Sequence, residues 1–402
     1  MQTESMQKVS RGLTTWLSFL LLSLFNFLLT SLGASSERLR SELGLSRTQV
    51  GLHATVFAVG VIAAGLTANR MSRRFGRRAV VAAGAGGMAA GALLLAAGRT
   101  PAMTLGGAFA MGAAGSLMQV LLLALLADLH GRRSGAILAE ANALSSLFAA
   151  LAPSVIGVAV ALGVGWRGAL ALGAAALIVT AAAFWRATPE TVGRPLVAVA
   201  AEAPEERRLP SRYWRWWAAV VLAVCVEFSF VFWTADELRA AAAAAPALAA
   251  GAVAVFELAL AAGRLLGARI LSRLGNLPVL RLGMIIAAAG FAVFWSARSV
   301  WPALAGLALA GLGVSMLYPV SLARAIAAAG GRSDLGSARA TLASGLAIGL
   351  APFAFGVLAD AGGVHAAYLV VPVLLLGVWL ASTLAARLDP ARADSTHGRR
   401  VA

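Results

Sequence analysis

Apolar residues run through this chain in twelve long stretches, separated by short polar breaks. They lie near 13–35, 47–69, 79–98, 102–127, 136–162 and 168–185, and then near 216–238, 247–270, 279–297, 301–325, 336–360 and 366–388. Each is close to the roughly 20 residues that carry a helix across the apolar core of a bilayer. The pattern predicts twelve membrane-spanning helices in an all-α protein. Between the sixth and seventh stretches, "RPLVAVAAEAPEERRLPSR" carries prolines and charges and reads as a linker. The tail "DPARADSTHGRRVA" has too little apolar sequence to pack. The expected organisation is a six-helix bundle over 1–185, a linker over 186–215, a second six-helix bundle over 216–388 and a tail over 389–402.

Composition agrees. Only 12% of residues are charged, 60% are hydrophobic, and the mean hydropathy is +0.83. A soluble domain carries about 25% charged residues. The net charge of +16 comes almost wholly from arginine, with Lys8 the only lysine. In a soluble protein such a charge would point to nucleic acid. In a multi-span protein it points to loops held on the cytoplasmic side, so no nucleic-acid partner is expected. With the linker side as the reference, 25 Lys and Arg fall on the face with both termini and 7 on the other. That bias places both termini in the cytoplasm, and the Ala, Gly and Arg usage suits a bacterial plasma membrane. Cys225 is the only cysteine, so no intrachain disulfide or Cys-rich metal site is expected. The first apolar run is longer than the apolar segment of a cleavable signal.

The densest positive charge is in "GLTANRMSRRFGRR" at 65–78, expected to be a cytoplasmic loop with Arg70, Arg73, Arg74, Arg77 and Arg78 and no acid. The two halves align with one shift of 199 residues. "ERLR" at 37–40 falls on "DELR" at 236–239. Arg70, Arg74 and Gly76 fall on Arg269, Arg273 and Gly275; Gly112 and Ser116 fall on Gly311 and Ser315. Ala152, Pro153 and Gly157 fall on Ala351, Pro352 and Gly356.

Two parallel six-span repeats joined by a linker resemble the major facilitator superfamily of secondary transporters. "RFGRR" at 74–78 and "GLTANR" at 65–70 match the two ends of that family's loop signature, Gly-x-x-x-Asp-Arg-x-Gly-Arg-Arg, with Asn69 or Arg73 at the acidic position. "SLFAALAPSVIG" partly matches the Gly-x3-Gly-Pro pattern of its antiporters, and "PETVGR" at 189–194 is similar to a sugar-porter signature. The resemblance implies that spans 1, 4, 7 and 10 line a cavity and that spans 2, 5, 8 and 11 meet between the halves. It also implies alternating access to a site near the midplane. Arg70, Arg74, Gly76, Arg77, Arg78, Pro153 and Pro352 are the expected gating residues. Asp128 or Glu140 is expected to supply the acid the loop lacks.

Ionisable side chains at mid-membrane are costly and mark function by default. Glu227 lies about halfway along span 7 and Glu257 about halfway along span 8, at similar depth. Carboxyl groups removed from water exchange protons nearer neutral pH, so these two are the expected proton-coupling pair. Arg264 follows Glu257 by two turns on the same face, as an ion-pair partner or an anchor for an anionic substrate. Asn26, Gln119, Phe230 and Tyr318 complete the expected substrate site, with Gln119 on Tyr318 under the same shift. A structural role as helix-to-helix glue is open for each polar one, and His53 is read as incidental.

The chain has no phosphate-binding loop, HExxH or nucleophile elbow, so neither an enzyme nor a cofactor is expected. The reading is a proton-coupled secondary transporter of a small organic molecule, leaning to antiport and efflux. Its partners are the substrate, protons and the lipid bilayer, and it works as a monomer. The rivals are proton-symport uptake of an organic anion or metabolite, and a non-transporting membrane receptor or scaffold.

Overall fold

A computed structural model describes residues 12–130, 134–189, 209–330 and 333–388. Residues 190–208 of the expected linker and the whole expected tail lie outside them, as does most of "PETVGR". Every element among the described residues is helical.

The first half holds α1 (Leu13–Ala34), α2 (Ser36–Leu43), α3 (Arg47–Phe75), α4 (Arg77–Ala97), α5 (Pro101–His130), α6 (Ser134–Ala161) and α7 (Gly165–Ala187). The second holds α8 (Ser211–Ala241), α9 (Pro246–Leu274), α10 (Asn276–Ser296), α11 (Val300–Val314), α12 (Leu317–Ala327), α13 (Ser333–Gly362), α14 (Val364–Ala367) and α15 (Val370–Arg387). Twelve spans are long and apolar enough to cross a membrane. The tenth runs through α11 and α12, the twelfth through α14 and α15. The expected twelve spans and all-helical class are therefore those of a multi-pass membrane protein.

Proline accounts for both broken spans. Pro319 lacks the N–H that would bond Ser315, four residues back, and span 10 breaks at Ser315 and Met316. Pro372 stands in the same relation to Tyr368, where α14 ends and the chain turns into α15. The expected arginine loop is a correction. Helix α3 continues to Phe75, and Gly76 alone separates it from α4. Gly76 turns the chain at φ +80°, and its repeat counterpart Gly275 does so at φ +78° between α9 and α10. Positive φ is cheap only for glycine. The short helix α2, between the first two spans, was not expected.

The shift of 199 residues holds at the level of packing. Gly112 of α5 lies against the backbone of Phe57 in α3, and Gly311 of α11 against the backbone of Phe256 in α9. Gly84 faces the carbonyl of Ala114, and Gly283 that of Gly313. Gly107 meets the backbone of Leu95, and Gly306 that of Phe294. Each pair of contacts is the same contact moved along the chain. Missing side chains let backbones approach where no hydrophobic effect drives helices together in lipid.

The halves meet along two helix pairs, α3 with α13 and α6 with α9. Pro352 and Gly356 of α13 pack their backbones against Gly51 and Arg47 of α3, and Gly157 of α6 packs against Ala247 and Gly251 of α9. Thr55 donates to the carbonyl of Gly349 at 2.6 Å.

Gly112→Val and Gly311→Val should each destabilise the protein by about 1–3 kcal/mol through overpacking. Gly65→Val, where an added side chain meets nothing, should stay within about 0.5 kcal/mol. Thermal unfolding of the purified protein in detergent checks this; equal losses for all three would contradict the packing.

Candidate functional site

The mid-membrane charges gather at the junction of α8, α9 and α6. Arg264 of α9 reaches the carboxylate of Glu227 on α8 with N–O separations of 3.2 and 3.4 Å. Its other terminal nitrogen is 3.4 Å from Ser146 Oγ on α6, in the other half. Arg264 thus ties α9 to α8 and spans the gap between the halves. The Arg264 side chain is 31% exposed and that of Glu227 17%. The charge pair at mid-depth is therefore only partly covered by protein, unlike Glu257 beside it.

Glu257 is buried and makes no hydrogen bond to another described residue. The charges acting on it are those of Glu227 and Arg264. The three expected groups therefore form one cluster, with a different pairing from the shared-face relation of Glu257 and Arg264. Its partition is uneven: one acid is paired and partly exposed, the other buried and without a bonded counter-charge. Burying an unpaired charge is costly, so Glu257 is suited to holding a proton.

Gln119 and Tyr318 are half-buried and make no hydrogen bond to another described residue. Asn26 is half-buried and donates to the carbonyl of Leu22 in its own helix at 3.0 Å. That leaves its amide oxygen unassigned. Phe230 is a correction. It is 1% exposed, stacked on Phe256 at 4.8 Å and edge-on to Phe294 at 5.8 Å. It belongs to the packed core of the second half, where its ring is covered by α9 and α10. His53 is not incidental: it is buried and its Nε2 lies 2.8 Å from Thr104 Oγ1, joining α3 to α5.

The face opposite the termini is closed by charges that the repeat supplies in matched positions. Glu37 and Arg40 on α2 correspond to Asp236 and Arg239 on α8. Arg239 pairs with Glu37 at 2.5 Å and Arg40 with Asp236 at 3.0 Å. Each acid binds the arginine of the other half, as two equivalent segments do around a two-fold axis. Arg47 adds a contact to Asp236 at 3.8 Å, and Ser36 Oγ donates to the carbonyl of Phe232 at 2.7 Å. Asp360 of α13 accepts from the backbone N–H of Arg47 and Thr48 at 2.9 and 2.8 Å, capping α3 across the halves. A carboxylate is favoured at that helix end by the dipole and the free N–H groups. Nine residues separate Asp236 from Glu227, so this roof stands about 14 Å above the mid-membrane pair.

On the terminal face, Arg77 is 8% exposed and pairs with Asp128 of α5 at 2.7 Å. Asp128 thus supplies an acid to this arginine, at the base of α4 and within the first half. Arg78 lies over the Trp185 ring at 4.1 Å and bonds the Trp185 carbonyl. Arg70 and Arg74 are exposed on the extension of α3, and Arg74 lies over the Phe75 ring at 5.2 Å. Glu140, near the start of α6, is half-buried. Pro153 and Pro352 both lie inside helices, α6 and α13.

The profile of the Major Facilitator Superfamily matches residues 12–238 and, again, 235–401. An uncharacterized MFS-type transporter of Yersinia pestis is 31% identical over 174 residues, covering 41% of this chain. The match spans 44% of that relative's length. A bacterial homologue of the human lysosomal transporter Spinster, solved inward-facing and occupied, superposes with a TM-score of 0.76 at 15% identity, over 94% of this chain and 97% of that one. A D-xylose–proton symporter gives 0.75 at 16% identity, over 91% and 95%. The nucleoside transporter NupG, as a D323A mutant, gives 0.73 at 12% identity, over 93% and 98%. At these identities the solved structures show a shared fold.

The reciprocal roof predicts a charge-swap result. Arg239→Glu should open the roof by about 1–3 kcal/mol, because it removes the nearest counter-charge of the buried Glu37 and sets a like charge against it. Adding Glu37→Arg should restore closure. Spin labels at Ser41→Cys and Ala245→Cys in a Cys225→Ser background report the gap; failure of the double swap to shorten it would contradict direct pairing.

Proposed function

This chain belongs to the Major Facilitator Superfamily, and on that premise we propose that it is a proton-coupled secondary transporter of a small organic molecule. The two halves, over 1–185 and 216–388, rock about the α3–α13 and α6–α9 contacts. The protein is a monomer in the bacterial plasma membrane, with the terminal face cytoplasmic on the arginine bias. The observation that carries the reading is the partly exposed Glu227–Arg264 pair, with the buried Glu257 beside it. That cluster joins three helices of both halves and lies beneath a roof of ion pairs.

The chemistry follows from charge balance. With both acids ionised the cluster holds two negative charges and one positive. One proton makes it neutral. A proton on Glu227 releases Arg264 from its partner, and with it the hold of α9 on α8. Substrate meets the half-buried Asn26, Gln119 and Tyr318 on the cavity helices. A proton and a substrate that bind the same cluster in turn give exchange, so the direction we favour is antiport and efflux.

One observation favours a second reading, uptake of an organic anion by symport. Arg264 is 31% exposed, so an anionic substrate can compete with Glu227 for it. The direction of the driving gradient separates the two. A ligand found by thermal-shift screening is offered to proteoliposomes with an imposed pH gradient. Antiport predicts accumulation in vesicles with an acidic lumen; accumulation driven by an acidic exterior would sink it. Glu227→Gln and Glu257→Gln should each lower gradient-driven flux about tenfold or more, the effect of losing one interaction of about 1.4 kcal/mol. Gradient-driven flux unchanged in both variants would remove proton coupling from this cluster.

A further inference from the structure

Three acids are buried in the roof: Glu37, Asp236 and Glu237, each under 5% exposed. Two of them are held by guanidinium groups, which stay charged at every physiological pH. Glu37 has Arg239 and, at 3.8 Å, Arg38; Asp236 has Arg40 and Arg47. Glu237 has none of these. Its recorded partner is the imidazole of His365 on α14, with Nδ1 2.5 Å from Oε1. Its second oxygen, Oε2, is buried without a partner among the described residues.

His365 is fixed in place for that contact. Its ring stacks on Trp295 of α10, 4.6 Å between centroids and 8° between planes. Trp295 Nε1 donates to the His365 backbone carbonyl at 2.9 Å. The His365 side chain is 32% exposed while Glu237 is 2% exposed, so a proton from solvent on that face reaches the imidazole and not the carboxylate.

We propose that His365 is a second proton-binding site, set in the roof and apart from the mid-membrane cluster, whose proton holds the roof closed. The inference rests on the reading that the roof opens and closes. The charged and titratable groups around the pair are Asp236 and Arg239 on α8, Glu37, Arg38 and Arg40 on α2, Arg47 on α3, Asp360 on α13 and Tyr368 beside α14. The arginines are engaged by Glu37 and Asp236. With His365 protonated, Glu237 has a counter-ion and every buried acid of the roof is paired. With His365 neutral, Glu237 is a buried carboxylate without a counter-ion next to Asp236, and each of the two acids has one oxygen without a partner among the described residues. Opening the roof hydrates that charge.

Closure strengthens the His365–Glu237 pair and so takes up a proton. Acid on the roof side favours the closed roof, and the stabilisation is lost as pH rises. Protons on that face thereby bias the halves toward exposing the mid-membrane cluster to the terminal face. His365 and Trp295 act through Glu237 on the outer end of α8, the segment bearing Asp236 and Arg239.

The test uses the full-length protein with spin labels at Ser41→Cys and Ala245→Cys in a Cys225→Ser background. Distances are measured at pH 8.0 and pH 5.5. In the otherwise unmodified protein the ratio of short to long distances should rise as pH falls, by up to about tenfold per pH unit for a one-proton switch. Glu237→Gln, which removes the buried charge, should give short distances at both values. His365→Phe, which keeps a ring over Trp295 but no proton, should lose the pH response and lengthen the distance. Adding Glu237→Gln to His365→Phe should restore the short distance, which separates loss of the counter-ion from misfolding. A Glu237→Gln protein with the unmodified pH response would overturn the proposal. If no variant, Arg239→Glu included, ever lengthens the distance, the roof does not open and the transport reading fails instead.

Discussion

Two short segments, each with an acid followed three residues later by an arginine, face one another across the roof. That geometry is what the rest of the structure depends on. A single segment of this kind has no better partner than its own neighbours. Its copy 199 residues on, brought opposite by the two-fold relation of the halves, gives each acid the other's arginine. The outer end of α8 is buried on all sides from Ser229 to Leu238, so these charges cannot remain there unpaired. Beneath the roof, Arg264 reaches from α9 to Ser146 of α6 in the other half.

The two charge layers have different chemistry. The roof is held mostly by guanidinium groups, which do not titrate, and it resists opening until its pairs are exchanged for water. The mid-membrane layer has one arginine for two acids, so on the proposed function its balance is set by a proton or by substrate. A transporter needs this contrast: one layer that commits the halves to a state, and one whose occupancy decides which state is favoured. The stacked His365 differs from both: among the described residues it is the roof partner of a buried acid that is an imidazole and not a guanidinium.

Much of this was legible in the sequence, and the reasons for the gaps are physical. Span number and the register of the repeat follow from apolar length and from matched Arg, Pro and Gly positions, and the packing glycines repeat at the same shift. Glu227, Glu257 and Arg264 stand out because charge at mid-membrane is rare. Their pairing does not, since spacing along α9 puts Arg264 and Glu257 on one face but says nothing of how α8 turns. Phe230 shows the same limit: three residues from Glu227 on a helix is near enough in sequence to share its face, yet the ring turns into the core. The breaks at Pro319 and Pro372 were readable from the lost bond four residues back. The matched "ERLR" and "DELR" were visible as a repeat, but their reciprocal pairing exists only once a two-fold axis brings them together. His365 carried no local signal, because its partner is 128 residues away.

Alternating access by this chain requires the halves to move as two bodies with opposite effects on the two faces. Distances across both faces, measured on the same preparation, test this most directly. One spin-label pair spans the roof, at Ser41 and Ala245, and a second spans the terminal ends of α3 and α9, at Arg73 and Leu274, each in a Cys225→Ser background. When Arg239→Glu loosens the roof, the roof distance should lengthen while the terminal distance shortens in the same proportion of molecules. A roof distance that lengthens with no change at the terminal face would mean local fraying of α2 and α8, and would contradict alternating access by this chain.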